Sequence, residues 1–189
     1  MQRKTYKEDS GTGFGKWTDP ISRLMYFDST NDILSKIQVP HRVADYGGAN
    51  GNLKKMIPNA ISIDIDCTKN PDIIEDILTH VGNYDLIVIR FVLHYLTDYK
   101  VLQLFNNIEK YHKGNILVIQ FINNDLVSKY KNSKNEFKYF RTEQQTQALL
   151  PDLKEIYNID YTVTQEFYKN RLNIANSQPH KETIKAYYV

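Results

Sequence analysis

Short runs of β-branched and apolar residues alternate with helical spacing through the middle of the chain. Four of these runs, RVADYG, AISIDI, YDLIVIR and NILVIQFI, carry apolar residues on both faces, which is typical of strands buried in a parallel sheet. Parallel strands need crossover connections, and GNLKKMI and TDYKVLQLFNNIEKYHK have the helical spacing of such crossovers. The pattern therefore predicts an α/β core over residues 41–189.

The two ends of the chain follow other patterns. Residues 1–19 combine lysines with glycines and predict an arm, and the apolar spacing that follows them predicts one or two short helices. Together they form a predicted N-terminal lid or helical segment, residues 1–40, packed on the core. Residues 69–79 predict a short edge strand. After a helix that begins at Thr142, the remaining sequence predicts a terminal antiparallel pair of strands.

Composition narrows the class of protein without naming it. A chain of 189 residues fits one domain, and a net charge of +2 does not by itself indicate a nucleic-acid partner. The longest apolar stretch is interrupted by Asp85, Arg90 and His94, well short of the roughly 20 residues of a membrane span. Cys67 is the only cysteine, which excludes an internal disulfide and a multi-cysteine zinc site, and no metal is expected. We predict a cytoplasmic location, with no secretory signal and no membrane association.

The stretch RVADYGGANGNL, from Arg42 to Leu53, carries the clearest chemical signal. There an apolar strand runs into small residues and then into helical spacing. Glycine permits positive φ and close approach of a ligand to the backbone, and a helix N-terminus offers N–H groups to an anion. The dinucleotide fingerprint G-x-G-x-x-G fails here, because counted from Gly47 it finds Ala49 and Asn52 where it needs glycine.

An acidic residue followed by small residues two apart resembles the first motif of class I S-adenosylmethionine-dependent methyltransferases. Asp45, Gly47, Ala49 and Gly51 occupy these places, with alanine for the middle glycine. The resemblance covers roughly residues 40–189. It implies a Rossmann-like three-layer α/β/α sandwich with a mostly parallel seven-stranded sheet and an antiparallel last strand. It also implies S-adenosylmethionine as cofactor and S-adenosylhomocysteine as product.

Further positions agree with this resemblance in sequence order. Asp64 closes the second strand, where the family holds an acid that accepts both ribose hydroxyls, and Asp66 is the nearby competitor. The segment IIEDIL resembles the family segment beside the adenine. The resemblance therefore implies that Asp76 accepts from the exocyclic amine and that Ile77 packs on the ring.

The segment YDLIVIRFVLHYL resembles the family's fourth motif, and its loop would flank the methionine end of the cofactor. The end of the chain, from FRTEQQTQALL through the closing strand pair, resembles the family's C-terminal ending. The cofactor-binding residues implied by the resemblance are Asp45, Gly47, Gly48, Ala49, Gly51, Asp64, Ile65, Asp76, Ile77, Arg90 and Phe91.

The acceptor pocket has fewer signals. His94 is the candidate catalytic base because its ordinary pKa lies near 6.5, although in this family the position often supports the loop instead. Trp17 and Tyr26 precede the first strand, in the variable segment that covers the cofactor, and both also fit as ordinary core aromatics. Asn123 follows the fifth strand and is a further candidate pocket group.

The favoured interpretation is a methyltransferase acting on an N or O atom of a small-molecule acceptor. The loop after the fourth strand lacks the Asn/Asp-Pro-Pro-aromatic sequence of amino-group DNA methyltransferases, and no cysteine lies near it for cytosine C5 chemistry. The alternative is an enzyme acting on RNA or protein through a basic loop, residues 129–141. A non-catalytic protein that binds S-adenosylmethionine is a third interpretation. The sequence does not predict the oligomeric state.

Overall fold

One seven-stranded sheet organises the chain, in the order β3-β2-β1-β4-β5-β7-β6. The computed structural model describes residues 24–122, 139, 141–150, 152–163 and 180–189. The strands are β1 (Val43–Tyr46), β2 (Ile61–Asp64), β3 (Ile73–Ile74), β4 (Leu86–Arg90), β5 (Asn115–Ile122), β6 (Lys154–Val163) and β7 (His180–Tyr188).

The strand directions confirm the predicted fold class. Strands β3, β2, β1, β4 and β5 pair in parallel, and β7 runs antiparallel to both β5 and β6. Six strands therefore point one way and only the last one points the other way. The predicted edge strand is the two-residue β3, and the predicted terminal antiparallel pair is β6 with β7.

Three α-helices accompany the sheet in the described residues, namely α1 (Ser29–Leu34), α2 (Asp98–Tyr111) and α3 (Glu143–Leu149). The side chain of Thr97 caps α2, and Thr142 forms a capping box with Gln145 at the start of α3. A single π-helical turn, Leu24–Asp28, precedes α1.

One predicted crossover helix is wrong. The segment GNLKKMI forms only a single 3₁₀ turn, Asn52–Lys55. Pro58 follows closely and disfavours helical geometry at Ile57, so the chain has no room to extend the turn before β2 begins. The connection between β3 and β4, residues 75–85, contains no helix either. The half of the sheet that contains β1 to β3 is thus joined by short, mostly irregular segments.

Two hydrophobic clusters cover the two faces of the sheet. One contains Tyr26 and Ile33 from the N-terminal segment, which pack on β1, β4, β5 and β7. The other contains Val101, Leu104 and Ile108, whose spacing puts them on one side of α2. The described part of residues 1–40 thus packs on the core, and its role as a lid stays a prediction.

No helix in the described part of the chain combines the length and apolar character needed to cross a bilayer. The cytoplasmic location stays a prediction.

Candidate cofactor site

The bend after β1 leaves no room for side chains at its first two positions. Gly47 has φ +70°, and a Cβ there would lie 2.6 Å from a methyl carbon of Val92. A Cβ on Gly48 would lie 2.7 Å from a carboxylate oxygen of Asp45. The N–H of Gly47 donates to the carbonyl of Ile63 at 2.8 Å, which fixes the bend to β2. The bend therefore presents bare backbone at the carboxyl end of the parallel strands, where open α/β sheets bind ligands.

Asp64 joins this bend to the loop after β2. Its Oδ2 accepts from the N–H of Ala49 at 3.0 Å, and its Oδ1 accepts from the N–H of Asp66 at 2.8 Å. Burial raises the pKa of Asp64, while these two backbone hydrogen bonds lower it. A carboxylate has about four acceptor positions, so Asp64 keeps capacity for two more donors. This geometry fits the predicted contact with a pair of ribose hydroxyls.

Asp45 lies beneath the bend and is the most enclosed acid of the site. It is 2% exposed, and its Oδ2 has no hydrogen-bond partner among the residues that the structure describes. Burial raises the pKa of Asp45 to about 6; the nearby Arg90 opposes this rise and Asp64 adds to it. A buried carboxylate oxygen without a donor favours a cationic partner. The resemblance implies that Asp45 holds the methionine ammonium group of the cofactor, and this role stays a prediction.

Arg90 ends β4 and faces the same region. It is buried, and its Nη1 donates to the backbone carbonyl of Tyr26 at 3.0 Å. Burial lowers the pKa of Arg90, and Asp45 and Tyr26 raise it. The guanidinium thus connects the N-terminal segment to the end of β4, and its contact with the cofactor stays a prediction.

Two isoleucines among the predicted cofactor-binding residues differ in how much of their side chain is exposed. Ile65 is 46% exposed, whereas Ile77 is 8% exposed and lies in a hydrophobic cluster. Ile65, directly after Asp64, therefore offers more apolar surface than Ile77, and the packing of Ile77 on the ring stays a prediction. Asp66 caps the 3₁₀ turn Cys67–Lys69 by accepting from the N–H of Thr68, so it has a structural role there.

The loop of the fourth motif, directly after β4, begins with a strained residue. Phe91 has φ +56°, an uncommon conformation for a bulky side chain. Its ring stacks on Phe121 at 4.3 Å between centroids and meets Tyr26 edge-on at 5.2 Å. Tyr26 is buried in this aromatic cluster, so the structure places it as a core residue. The three rings hold the bend at Phe91 in place.

His94 does not have the properties of a general base in this structure. It is 2% exposed, and the side-chain amide of Gln120 lies 3.1 Å from its Nδ1. Burial lowers the pKa of His94 to about 3, and the charge of Arg141 lowers it as well. An imidazole with so low a pKa is a weak proton acceptor near neutral pH. The geometry supports the alternative role, in which His94 supports the loop.

Arg141 was expected in a basic loop, but it is turned into the fold. It is 7% exposed and donates to the carbonyls of Leu93 and Leu96, each at 2.7 Å. Its Nε and Nη2 also contact a carboxylate oxygen of Asp98, at 2.8 and 2.7 Å. Arg141 therefore secures the loop between β4 and α2. No pattern in the sequence predicted this role of Arg141, and none predicted Gln120 as the partner of His94.

Several predicted residues lie outside the described part of the chain. These are Trp17, Asn123 and the lysines of the basic loop, Lys129, Lys131, Lys134 and Lys138. Within the described residues, no group of three or more His, Cys, Asp or Glu side chains could hold a metal ion.

Comparison with known proteins identifies the fold. No protein-family model and no curated protein sequence matches the chain. Among solved structures, TehB from Haemophilus influenzae is similar at TM-score 0.58 and 18% identity, with 84% of this chain and 60% of that one covered. A methyltransferase from Methanosarcina mazei that depends on S-adenosylmethionine is similar at TM-score 0.57 and 13% identity, over 83% of this chain and 96% of that one.

A third similar structure holds a ligand. Phosphoethanolamine N-methyltransferase 1 from Haemonchus contortus, in complex with phosphoethanolamine and S-adenosylhomocysteine, matches at TM-score 0.57 and 17% identity. The match covers 95% of this chain and 46% of that one, so this chain spans less than half of that protein's length. The strand order, the bend after β1 and these similarities together show that the chain has the class I methyltransferase fold.

Proposed function

We propose that the chain is a methyltransferase that uses S-adenosylmethionine and methylates an N or O atom of a small-molecule acceptor. The observation that carries this proposal is that Oδ2 of buried Asp45 has no hydrogen-bond partner within the described part of the chain and lies beneath a bend that excludes side chains. An acid in this position has a cost for the folded protein unless a cation compensates it. Arg90 supplies part of this compensation, and the ammonium group of the cofactor would add to it.

Each part of the site has a separate task in this proposal. Asp64 accepts from the ribose hydroxyls while it holds Ala49 and the loop after β2. Ile65 offers apolar surface to the adenine, and Gly47 and Gly48 let the backbone approach the amino-acid end. When bound, S-adenosylmethionine supplies an already activated methyl group on its sulfonium, so the protein chiefly aligns the acceptor and excludes water.

The state of His94 favours acceptors that need no strong base. A neutral amine can attack without losing a proton first, whereas an alcohol gains more from a nearby proton acceptor. His94 is enclosed, and its pKa of about 3 makes it a poor acceptor. Within this proposal, amines and acidic phenols are therefore the preferred substrates, and unactivated alcohols are the least suitable.

A macromolecular acceptor is the alternative. It depends on the basic loop, and Arg141 contributes its charge to internal contacts with Leu93, Leu96 and Asp98. The lysines of the loop remain the basis for an RNA or protein acceptor. Non-catalytic binding of S-adenosylmethionine is the third interpretation.

Calorimetry followed by a turnover assay tests the proposal. S-adenosylmethionine and S-adenosylhomocysteine should release or absorb heat on binding, and NAD should not. Release of S-adenosylhomocysteine is then measured with a panel of amines, phenols, tRNA and protein extract. Turnover on a small amine or phenol supports the proposal. Turnover on tRNA alone, with steep loss in salt, supports the alternative, because phosphate contacts weaken as ionic strength rises. Binding of NAD without either nucleoside overturns it.

A further inference from the structure

A buried histidine outside the catalytic region ties together the segment beside the predicted adenine site. We propose that His80 is a positioning residue that holds Asp76 in place to recognise the amino group of adenine. This inference rests on the proposed function, because it assumes that the nucleoside binds beside β2 and β3.

The backbone places Asp76 next to the ribose acid. The N–H of Glu75 donates to the carbonyl of Asp64 at 3.1 Å, so the chain after β3 runs alongside the end of β2. The carbonyl of Asp76 accepts from the N–H of His80 at 2.9 Å, and its Oδ1 accepts from the N–H of Leu78 at 2.9 Å. The carboxylate still has acceptor positions for an amine donor.

The ring of His80 then links the two ends of this connection. Its Nδ1 lies 2.6 Å from Oε2 of Glu75, and its Nε2 lies 3.1 Å from the hydroxyl of Tyr84. In the neutral ring, Nδ1–H donates to the carboxylate and Nε2 accepts from the phenol. Burial raises the pKa of Tyr84, which keeps its hydroxyl protonated and able to donate.

Two further contacts fix His80 itself. The side-chain amide of Asn107 on α2 donates to the carbonyl of His80 at 2.9 Å. The ring of Tyr46, the last residue of β1, meets the imidazole edge-on at 5.7 Å. His80 is thus held by the helix, by β1 and by both ends of its own loop, and it is buried.

The connection between β3 and β4 is held by side-chain contacts in place of a crossover helix. Residues 75–85 contain no helix, only the turn that the N–H groups of Thr79 and His80 close on the carbonyl of Asp76, so side-chain contacts hold most of this segment against the sheet. Without the imidazole, Asp76 keeps its local backbone turn but loses the connection from Glu75 to Tyr84. The carboxylate would then adopt several positions, and it would lose its preference for a base that presents an amine. A shared network of this kind is satisfied only when all its members are present.

The experiment compares two nucleosides that differ at one group. Titration calorimetry gives the Kd of S-adenosylhomocysteine and of its deaminated analogue, in which hypoxanthine replaces adenine. We expect the unaltered protein to prefer the adenine compound by about tenfold, the size of one hydrogen bond to a charged group. In His80→Ala and Glu75→Ala this preference should fall by about threefold or more, because both changes break the link.

Glu75→Gln is the conservative variant, because its amide oxygen can still accept from Nδ1–H, and it should keep the preference. His112→Ala is the matched control, since His112 lies beyond the C-terminal end of α2, 3.4 Å from the carbonyl of Asn115. If His80→Ala does not fold, Glu75→Ala carries the test, because the Glu75 side chain is 56% exposed. The ratio of the two affinities is used because a general loosening of the site would weaken the binding of both ligands equally.

The outcomes separate this inference from the proposed function. If the unaltered protein binds neither nucleoside, the proposed function fails. If it binds both equally, or if Glu75→Ala and His80→Ala keep the full preference, the inference about His80 is overturned and the proposed function stands. A preference lost in both alanine variants and kept in Glu75→Gln and His112→Ala supports it.

Discussion

The backbone N–H of Ala49, in the bend after β1, donates to the carboxylate of Asp64, the last residue of β2, at 3.0 Å. The same carboxylate accepts from the N–H of Asp66 in the loop that follows β2. The acid predicted to bind ribose therefore also shapes the bend that receives the rest of the cofactor. Because the carboxylate of Asp64 has both tasks, its replacement should weaken binding in two ways: it removes the contact with the ribose, and it loosens the bend.

Asp64→Asn should weaken the binding of S-adenosylmethionine by about 1.5–3 kcal/mol, the worth of hydrogen bonds to a charged group. The amide also turns a donor towards N–H groups that need an acceptor. Titration calorimetry at pH 7.5 measures the change. Asp66→Asn is the control, since asparagine can cap the 3₁₀ turn as aspartate does, and its affinity should stay within about twofold. Equal losses in the two variants would show that Asp64 has no special role.

Ala49→Gly should stabilise the protein by up to about 1 kcal/mol. Ala49 has φ +46°, a left-handed conformation that costs an L-residue roughly 1–2 kcal/mol, and the entropy of glycine offsets part of the gain. Urea unfolding measures the free energy. Ala60→Gly is the comparison, because Ala60 is buried without a positive φ, and it should destabilise the protein. A loss of stability in Ala49→Gly would mean that the methyl group has packing contacts worth more than the strain.

The stability of the protein should fall in acid partly because of His94. Its pKa of about 3 in the folded protein lies below the ordinary 6.5, so the unfolded chain binds the proton more readily. This contribution is complete above pH 6.5 and is lost as the pH falls towards 3. In His94→Gln, the free energy of unfolding should therefore decrease less between pH 6.5 and pH 4.

The contribution of Asp45 to stability changes with pH in the opposite direction to that of His94. Its pKa of about 6 exceeds the ordinary 3.8, so its contribution is complete below pH 3.8 and is lost as the pH rises through 6. Asp45→Asn should remove this loss and should also weaken the binding of S-adenosylmethionine.

Urea unfolding at several pH values measures the free energy of unfolding of both variants, His94→Gln and Asp45→Asn. Identical pH profiles for His94→Gln and the unaltered protein would contradict the assigned burial of His94.

Arg141→Met should destabilise the protein by about 2–4 kcal/mol. The change leaves the carbonyls of Leu93 and Leu96 without their donor and removes the contact with Asp98. Arg141→Lys should recover little, because an ammonium group cannot reproduce the fork of donors. Arg42→Lys is the control: its ion pair with Asp85 is exposed and should contribute little to stability. A loss below 1 kcal/mol in Arg141→Met would make Arg141 a surface residue.

The sequence predicted the strands well because a strand buried on both faces is a local pattern. YDLIVIR and NILVIQFI are continuous apolar runs, and they became β4 and β5. The failed crossover helix had local causes too, because Pro58 limits GNLKKMI to one turn. Residue spacing alone does not weigh such a stop against helical periodicity.

The internal partners of the site could not be predicted in this way. His94 meets Gln120 across 26 residues, and Arg141 reaches Leu93 across 48. Which basic residues face solvent depends on tertiary packing, so Arg141 looked like its neighbouring lysines. The difference in exposure between Ile65 and Ile77 has a similar reason, because it depends on how the loops after β2 and β3 pack.

The scarcity of helices around β1 to β3 has a consequence for handling the protein. Two 3₁₀ turns and an irregular loop connect these strands, while β5, β6 and β7 form longer ladders. Backbone amides near the bend should exchange deuterium early, and a bound nucleoside should slow them by stabilising the native state. Adding S-adenosylhomocysteine during purification and crystallisation should then stabilise the part of the sheet that few helices support.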